Sequence, residues 1–290
     1  MGRSTQNIRI YILAICVLCI LMYIYNTNTS YDGFSDPGIN KTVWLLWLQG
    51  WDSAPWLPQQ VKTSWEIQNP DWTIQLVSKE NLKNLLPELD YVYSDTISPQ
   101  AKSDIIRLSL LSRYGGVWAD SSLLCMKPLD SWVYDAIQPS GLWMYHGNGA
   151  NMDIQYGPAS WFIVSLKDSY IITKWKERCD SYWKNRTSTQ NYFWMDYLFK
   201  ELYETDPKFK EQWDRVPYTF CEDKGQSHIF SDGSWKDNTP ELKELINTTP
   251  PYVMKLWIQR WNEEFQECTS PRCIESNGYY AIQYATKSNG

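Results

Sequence analysis

The stretch from Ser98 to Asp120 constrains the fold more than any other part of this chain. Ser98-Pro99 supplies an N-cap and a first-turn proline for a long helix. Gly115-Gly116 ends that helix after about Tyr114, since glycine readily adopts the left-handed conformation. Val117–Asp120 then predicts a strand that leads directly into an acidic side chain.

The residues before this stretch predict strand, helix and strand in turn. Thr42–Leu48 is an apolar run bounded by Gly50 and predicts a buried strand. Val61–Gln68 predicts a helix, and Trp72–Val77 predicts a second strand. This order indicates an α/β sheet. Later elements are predicted as a helix at Lys79–Leu86, strands at Leu142–Tyr145 and Trp161–Val164, and helices at Tyr170–Trp183, Tyr192–Tyr203, Glu241–Ile246 and Lys255–Cys268.

Charge and aromatic content limit the class of ligand. The net charge is -6, without a cluster of Lys and Arg, so we expect no nucleic-acid partner. Aromatic residues make up 16% of the 290 residues, with 17 Trp and 20 Tyr. Most Trp rings are expected in the core, but such rings also stack on nucleobases and on the apolar faces of sugars.

The N-terminal region predicts a membrane anchor. Ile10–Tyr25 is apolar and uncharged, somewhat shorter than the ~20 residues that span an average bilayer. Arg3 and Arg9 precede it and no Lys or Arg follows before Lys41, which predicts a single-pass type II protein with a luminal body. A cleaved signal peptide is the alternative, although the small-residue cleavage pattern is missing. The predicted parts are a cytoplasmic tail (1–9), a transmembrane anchor (10–25), a stem (26–40) and a catalytic domain (41–290).

The predicted topology places the catalytic domain in the lumen of the Golgi or of another secretory membrane system. Two features of the sequence gain a meaning in that compartment. The sequons at Asn28, Asn40, Asn185 and Asn247 become possible glycosylation sites. The pair Cys268 and Cys273 is close enough in sequence to close a small disulfide loop in an oxidising compartment.

Three charged residues in the central stretch point to chemistry. Asp104 and Arg107 are three residues apart and share one face of the predicted helix. There the carboxylate can accept from sugar hydroxyls and the guanidinium can donate to oxyanions, although an exposed ion pair worth ~0.5 kcal/mol is the alternative. Asp120 follows a strand, where ligands of open α/β sheets collect. Such a carboxylate can hold Mg²⁺ or Mn²⁺ against a pyrophosphate and so offset its charge.

The segment Ser103–Ser122 resembles the core motif of the capsular polysaccharide synthesis family, related to the family 32 glycosyltransferases with their pattern SD-x-x-R, YGG-x-x-x-D-x-D. The stretch VWLLWLQGW from Val43, Asn69-Pro70-Asp71-Trp72 and Tyr192–Phe199 is similar to the same family, so the resemblance spans residues 42–199. The chain departs from the pattern at Asp120-Ser121-Ser122, where the second carboxylate is missing and Ser122 offers only a neutral oxygen.

The resemblance implies a GT-A fold, a Rossmann-like nucleotide-binding sheet flanked by helices, here with a helix-rich C-terminal part. It implies transfer of a sugar from a UDP- or GDP-sugar to a glycan acceptor, with retention of configuration and with Mn²⁺ or Mg²⁺. The implied catalytic residues are Asp104, Arg107 and Asp196. The implied donor-binding residues are Trp44, Trp47, Asp104, Arg107, Gly115, Gly116, Asp120 and Ser122, and the implied metal ligand is Asp120, with Ser122 beside it. Apart from the resemblance, His228 is a further candidate metal ligand or phosphate contact through a neutral imidazole, and an ordinary surface or partly buried histidine is the alternative.

Two other functions stay open at this point. A glycoside hydrolase needs two carboxylates ~5 to 10 Å apart across the scissile bond, a pair that Asp104 and Asp120 could resemble. A catalytically inactive sugar-binding homologue would explain the many Trp rings and the incomplete metal motif. A hydrolase works without nucleotide or metal, and an inactive homologue turns over no donor, so both differ from a transferase in a measurable way.

Overall fold

The computed structural model describes residues 38–147, 157–189, 191–223, 226–227, 240–256 and 267–287. All of them belong to the unit Gly38–Gly290. The predicted tail, the anchor at residues 10–25, most of the stem and His228 lie outside the described residues. Within the described ranges, no helix is long and apolar enough to cross a membrane.

A five-stranded mixed sheet forms the centre of the fold. Its strands run in the order β2-β1-β3-β6-β5. Strands β1, β2 and β3 are parallel, and β6 runs antiparallel to β3 and β5. A second, two-stranded antiparallel sheet pairs β4 with β7. The bounds are β1 Thr42–Leu46, β2 Thr73–Val77, β3 Gly116–Ala119, β4 Leu123–Cys125, β5 Leu142–His146, β6 Pro158–Ser165 and β7 Val253–Lys255.

Helices cover both faces of the large sheet. They are α1 Trp56–Gln68, α2 Lys79–Leu85, α3 Pro99–Tyr114, α4 Val133–Ile137, α5 Tyr170–Trp183, α6 Trp194–Thr205, α7 Pro207–Trp213, α8 Pro240–Thr248, α9 Pro271–Ile274 and α10 Asn277–Ala285. Short 3-10 turns lie at Trp51–Ser53, Asp90–Tyr93 and Leu129–Ser131.

The side chains of β1 show how the two faces are filled. Val43 and Leu45 pack with α1, the small sheet and α10, whereas Trp44 and Leu46 pack with α3, α5 and α6. This alternation is the period of two expected of a strand. Both faces are therefore covered by apolar contacts, and the edges of the sheet remain to carry polar chemistry.

Helix α3 begins and ends as predicted. The Ser98 hydroxyl accepts a hydrogen bond from the Ala101 amide at 3.2 Å, and Pro99 occupies the first turn. The helix ends at Tyr114 because Gly115 and Gly116 have φ of 66° and 94°. It leads into β3 and places Asp120 directly after that strand.

The prediction of an α/β sheet flanked by helices is confirmed. Helix α1 begins earlier than predicted, at Trp56. The predicted helix Lys255–Cys268 is wrong at its start, because Lys255 ends strand β7; residues 257–266 lie outside the described residues. Strands β4 and β7, three residues each, were not predicted, because their pairing joins positions far apart in sequence. The disulfide between Cys268 and Cys273 is present.

Candidate functional site

The candidate site lies at one edge of the large sheet, by which we mean the edge formed by the ends of its strands. The carboxyl ends of β1 and β3 meet the amino end of β6 there. The Asp120 amide donates to the Trp161 carbonyl at 3.0 Å, and the Leu123 amide donates to the Asp120 carbonyl at 2.9 Å. The Ser121 hydroxyl donates to the Leu46 carbonyl. These bonds hold the turn after β3 and fix the position of the Asp120 carboxylate.

Arg107 joins helix α3 to this turn. Its Nη1 donates to Asp104 Oδ1 at 2.6 Å and to Ser160 Oγ at 2.8 Å. Its Nη2 donates to Asp120 Oδ1 at 3.1 Å and to Ser103 Oγ at 3.3 Å. The side chains of Arg107 and Asp104 are only 6% and 14% exposed, so the prediction of a shared face is confirmed and the alternative of an exposed surface pair is wrong.

The Asp120 carboxylate receives a second cation. Lys255 Nζ, at the end of β7, lies 2.6 Å from Asp120 Oδ2, and the Trp118 indole N–H donates to Asp120 Oδ1 at 3.0 Å. The Lys255 side chain is 8% exposed and that of Asp120 is 23% exposed. The cluster therefore opens to solvent mainly at Asp120.

These neighbours set the charge of the Asp120–Lys255 pair. Burial alone would raise the pKa of Asp120, but the positive charges of Lys255 and Arg107 outweigh it and lower the pKa. Burial lowers the pKa of Lys255, and the Asp120 carboxylate opposes that shift only in part. Asp120 is consequently ionised at neutral pH.

Asp104 and Asp196 behave in the opposite way. Burial raises the pKa of Asp104 to about 6, with Arg107 opposing the shift and the negative charge of Asp120 adding to it. Burial and then the charge of Asp104 raise the pKa of Asp196 to about 7. Asp196 lies in the first turn of α6, so the two helices bring these carboxyl groups into electrostatic contact. This part of the site exchanges protons near neutral pH.

Trp194 lies beside this second pair of acids. Its indole N–H lowers the pKa of Asp104 without reaching hydrogen-bond geometry. The atom is buried and has no hydrogen-bond partner in the described part of the chain, and the same is true of Arg107 Nε. Both are donors that a bound oxygen would satisfy, since an unmet buried donor is costly.

Two predicted donor-binding positions lie away from Asp120. Gly115 and Gly116 lie at the amino end of β3, at the opposite end of that strand from Asp120. A Cβ at Gly115 would be 2.5 Å from the Lys167 nitrogen, and one at Gly116 would be 2.5 Å from the Thr42 oxygen. These glycines permit close packing of backbone against backbone, which is a structural role.

Trp44 is also misplaced for stacking on a nucleobase. Its side chain points into the core, the residue is 4% exposed, and its indole N–H donates to the Gly115 carbonyl at 2.9 Å. Trp47 differs, because it follows β1 at the same edge as Asp120 and is only partly buried. Trp47 therefore keeps the predicted stacking role as a hypothesis.

The remaining predicted residues are Ser122 and His228. Ser122 is buried, and its carbonyl accepts from the Leu256 amide at 2.8 Å. His146 is buried between the rings of Trp213 and Tyr218, and burial lowers its pKa to about 4. His228 lies outside the described residues.

Sequence reasoning missed Lys255, Trp118 and Ser160. A signal existed for Lys255, because a single lysine inside the apolar run Val253–Trp257 indicates a buried charge with a partner. Trp118 and Ser160 carry no such signal. Their roles depend on how β3 and β6 place them against α3.

The described residues do not form a ligand set for a divalent metal ion. No group of three or more His, Cys, Asp or Glu side chains in the described ranges could hold one. Both Asp120 oxygens accept from protein donors, two of them cationic, and Ser121 Oγ is bonded to the Leu46 carbonyl. Mg²⁺ and Mn²⁺ prefer several oxygen ligands and negative charge, which this arrangement does not offer.

Comparisons with known proteins show which family and which proteins this chain is similar to. The family model described as "Capsular polysaccharide synthesis protein" matches residues 21–269. The chain is 28% identical over 167 residues to "Glycosyltransferase afumC" of Aspergillus fumigatus, covering 51% of this chain and 42% of the relative. It is 28% identical over 102 residues to an "Initiation-specific alpha-1,6-mannosyltransferase" of Candida albicans, covering 32% and 26%.

One further sequence relative and one solved structure are also similar to this chain. The "Putative glycosyltransferase HOC1" of Saccharomyces cerevisiae is 25% identical over 134 residues, covering 44% of this chain and 31% of the relative. The solved structure "PaToxG Glycosyltransferase" aligns with a TM-score of 0.40 and 16% identity, covering 66% of this chain and 79% of that one. The matches span less than half the length of each of the three sequence relatives. Because the family model covers most of the chain, this protein belongs to the capsular polysaccharide synthesis protein family.

Proposed function

We propose that this chain is a glycosyltransferase that moves a sugar from a UDP- or GDP-sugar to a glycan or glycoconjugate acceptor. The observation that carries the proposal is the buried Arg107 fork, which holds Asp104 and Asp120 together at the ligand-binding edge of an α/β sheet. The sequence relatives are named as glycosyltransferases and include mannosyltransferases, which supports the same class. A GT-A fold is part of this proposal.

The donor would lie over Asp120. Arg107 and Lys255 bring two cations to that point, and guanidinium and ammonium groups suit phosphate oxygens. Arg107 Nε is a further buried donor without a partner in the described residues. Trp47, at the same edge, would stack on the nucleobase, and Ser122 would contribute a neutral oxygen to the donor.

The acceptor would approach from the α6 side. Asp196 lies there next to the charge of Asp104. Tyr192, Phe193 and Tyr197 surround it in sequence and are 62%, 39% and 45% exposed. Exposed aromatic faces beside carboxyl groups suit sugar rings, because the rings stack and the carboxyl groups accept from hydroxyls.

In the proposed reaction, the acceptor hydroxyl attacks the anomeric carbon while Asp104 and Asp196 hold the sugar. The nucleoside diphosphate leaves with negative charge on its terminal phosphate oxygen. Positively charged groups placed beforehand at that point lower the barrier. Retention of configuration and participation of Mn²⁺ or Mg²⁺ stay predictions from the family resemblance, as do the type II anchor and the location in a secretory membrane.

The first test is thermal unfolding of the full chain with UDP, GDP and their sugar conjugates, with and without Mn²⁺. A ligand at about 100 times its Kd adds ~2.7 kcal/mol to the free energy of unfolding, which raises Tm measurably. We expect a shift with one nucleotide class and loss of that shift in Arg107→Lys. Arg178→Lys is the matched control, because Arg178 forms a surface pair with Glu201.

The alternatives give different results in the same experiment. An inactive sugar-binding homologue would be stabilised by glycans but would release no nucleotide from any donor. A glycoside hydrolase would cleave a glycan without nucleotide. No shift with any nucleotide or nucleotide-sugar would refute the transferase proposal.

A further inference from the structure

We infer that Lys255 and Arg107 together take the place of a divalent metal in neutralising the leaving diphosphate, so that this transferase works without a metal ion. The inference rests on the proposed function and adds a catalytic role for Lys255. It also reverses the metal prediction that the family resemblance implies. Three observations around Asp120 support it.

The first observation is how firmly Lys255 is held. Strands β4 and β7 pair Leu123 with Lys255, so the lysine lies beside the turn that carries Asp120. The Lys255 amide donates to the Ser227 carbonyl at 3.0 Å, and the next residue, Leu256, donates to Ser122 at 2.8 Å. Hydrogen bonds therefore fix the backbone at Lys255 and Leu256, and the Lys255 ammonium group is positioned before any ligand binds.

The second observation is the place that the ammonium group occupies. Lys255 Nζ is 2.6 Å from Asp120 Oδ2, and Arg107 Nη2 is 3.1 Å from Asp120 Oδ1. A metal ligated by Asp120 would lie within ~2.1 Å of one of these oxygens. It would then compete with one cation at close range and repel the other, and in a buried cluster that repulsion is large.

The third observation is the chemistry of the motif itself. Where the pattern of the related family 32 glycosyltransferases has a second carboxylate, this chain has Ser122, a neutral residue. Ser121 does not supply a second negative charge either, because its side chain is a neutral hydroxyl that donates to the Leu46 carbonyl. Asp104 is held by Arg107 at 2.6 Å. A neutral Ser122 and the buried Lys255 act in the same direction in this chain, towards neutralisation by protein cations.

The bond between the anomeric carbon and the terminal phosphate oxygen breaks, and its electron pair stays on that oxygen. A new bond forms between the anomeric carbon and the acceptor oxygen, whose proton passes to the departing diphosphate. Lys255 and Arg107 hold the diphosphate by hydrogen bonds and charge while this occurs, and no oxidant or reductant is needed.

The decisive experiment uses the full chain after treatment with excess EDTA. UDP and GDP are titrated by calorimetry, and nucleotide release from UDP- and GDP-sugars is measured with and without added Mn²⁺. We expect one nucleotide to bind in EDTA and turnover to change less than about twofold when Mn²⁺ is added. Binding by calorimetry is independent of turnover, so it remains readable if the acceptor supplied is wrong.

Variants at Lys255 test whether the positive charge of this residue contributes to turnover. Lys255→Met keeps the aliphatic length and removes the ammonium group, and we expect kcat to fall ~10²- to 10³-fold, the loss typical of one transition-state donor. Lys255→Arg keeps the charge and should retain more activity. Lys210→Met is the matched control, because Lys210 pairs with Asp214 at 2.5 Å on the surface.

Three outcomes would overturn the inference. Turnover that disappears in EDTA and returns with Mn²⁺ would show a metal-dependent transferase, which refutes the inference and supports the proposed function. Full activity in folded Lys255→Met would refute the role of that lysine. Absence of nucleotide binding under every condition would refute the proposed function and the inference together. If Lys255→Met does not fold, the EDTA experiment on the unmodified chain still decides.

Discussion

The two ends of the acidic cluster are buried to a similar degree but carry charge differently. At one end, Asp120 faces two cations, one at each carboxylate oxygen, and its pKa is lowered. At the other end, Asp104 shares Arg107 with three further acceptors, and the pKa values of Asp104 and Asp196 are raised to about 6 and about 7. Burial alone does not decide ionisation. The positive and negative charges beside each carboxylate decide it together with burial.

This difference matches the two halves of the proposed reaction. The Asp120 end presents fixed charges, which suits a diphosphate that must be held throughout the reaction. The Asp104–Asp196 end gains and loses protons near neutral pH, which suits contacts with hydroxyl groups that change partners. Single substitutions should therefore show different effects on stability and turnover at the two ends.

The largest effect is expected from Arg107→Ala, since Arg107 belongs to both ends. The substitution leaves Asp104 without its cation and removes one of the two from Asp120. Removing one partner of a buried ion pair costs about 3 to 5 kcal/mol, because the other charge remains buried. Donor turnover should fall ~10³-fold or more. Urea unfolding and nucleotide release measure the two effects.

The surface pair Arg178–Glu201 provides the contrast. Arg178 donates to both Glu201 oxygens, but the side chains are 33% and 48% exposed. Arg178→Ala should cost about 0 to 1 kcal/mol and leave turnover unchanged. Equal losses in the two variants would show that burial of Arg107 contributes nothing to its role.

The same contrast explains what could be predicted from sequence. Asp104, Arg107 and Asp120 were found because the helix period, the Gly-Gly stop and the strand that follows fix their relation locally. Lys255 was missed because the pairing of β4 with β7 brings it to Asp120, which is 135 residues away in the sequence. Non-local pairing of three-residue strands leaves no periodic signal.

The placement of Gly115, Gly116 and Trp44 could not be predicted for another reason. The motif resemblance identified these positions, but it does not state which end of a strand or which face of a sheet each one occupies. The observed pairing puts the glycines at the amino end of β3 and turns Trp44 towards α3. The alternation of side chains along β1 could have shown that Trp44 and Leu45 lie on opposite faces of the sheet. It could not have distinguished Trp44 from Leu46, which lies on the same face.

A second, smaller effect is expected from Asp120→Asn, which isolates the end with fixed charge. The variant keeps the shape but gives Lys255 and Arg107 a neutral partner, so it should lose about 2 kcal/mol, the value of a hydrogen bond to a charged group. The lowered pKa of Asp120 means that its contribution is present above the unfolded value of ~3.9 and is lost as the pH falls through the folded value. The stability difference between wild type and variant should therefore shrink in acid.

Urea unfolding at a series of pH values measures that difference. Nucleotide release at neutral pH should fall by ~10²-fold in Asp120→Asn, because the two cations lose their common anchor. A stability difference that grows as the pH is lowered would contradict the assignment of a lowered pKa to Asp120.

The third comparison uses two tryptophans of matched size. Trp118 donates to Asp120 at 3.0 Å, whereas the N–H of Trp194 has no hydrogen-bond partner in the described residues. Trp118→Phe and Trp194→Phe remove the same atoms from buried positions, so their cavity costs are comparable. Trp118→Phe should be less stable than Trp194→Phe by about 1 to 2 kcal/mol. Equal unfolding free energies would show that the bond to Asp120 adds nothing.

The smallest effect is expected from Asp196→Asn, and it should have the opposite sign. An acid whose folded pKa is raised binds its proton more tightly in the folded state, so wild-type stability falls as the pH rises from about 4 to about 7. The variant cannot ionise at this position and should be more stable than wild type at pH 8, on the order of 1 kcal/mol. Its dependence on pH should be weaker but not absent, because Asp104 still titrates. Asp130→Asn is the control, since the pKa of Asp130 is lowered and its removal should decrease stability at neutral pH. Urea unfolding across pH 4 to 8 measures these stabilities. An Asp196→Asn variant less stable than wild type at pH 8 would show that the ionised carboxylate of Asp196, and not its protonated form, stabilises the folded protein.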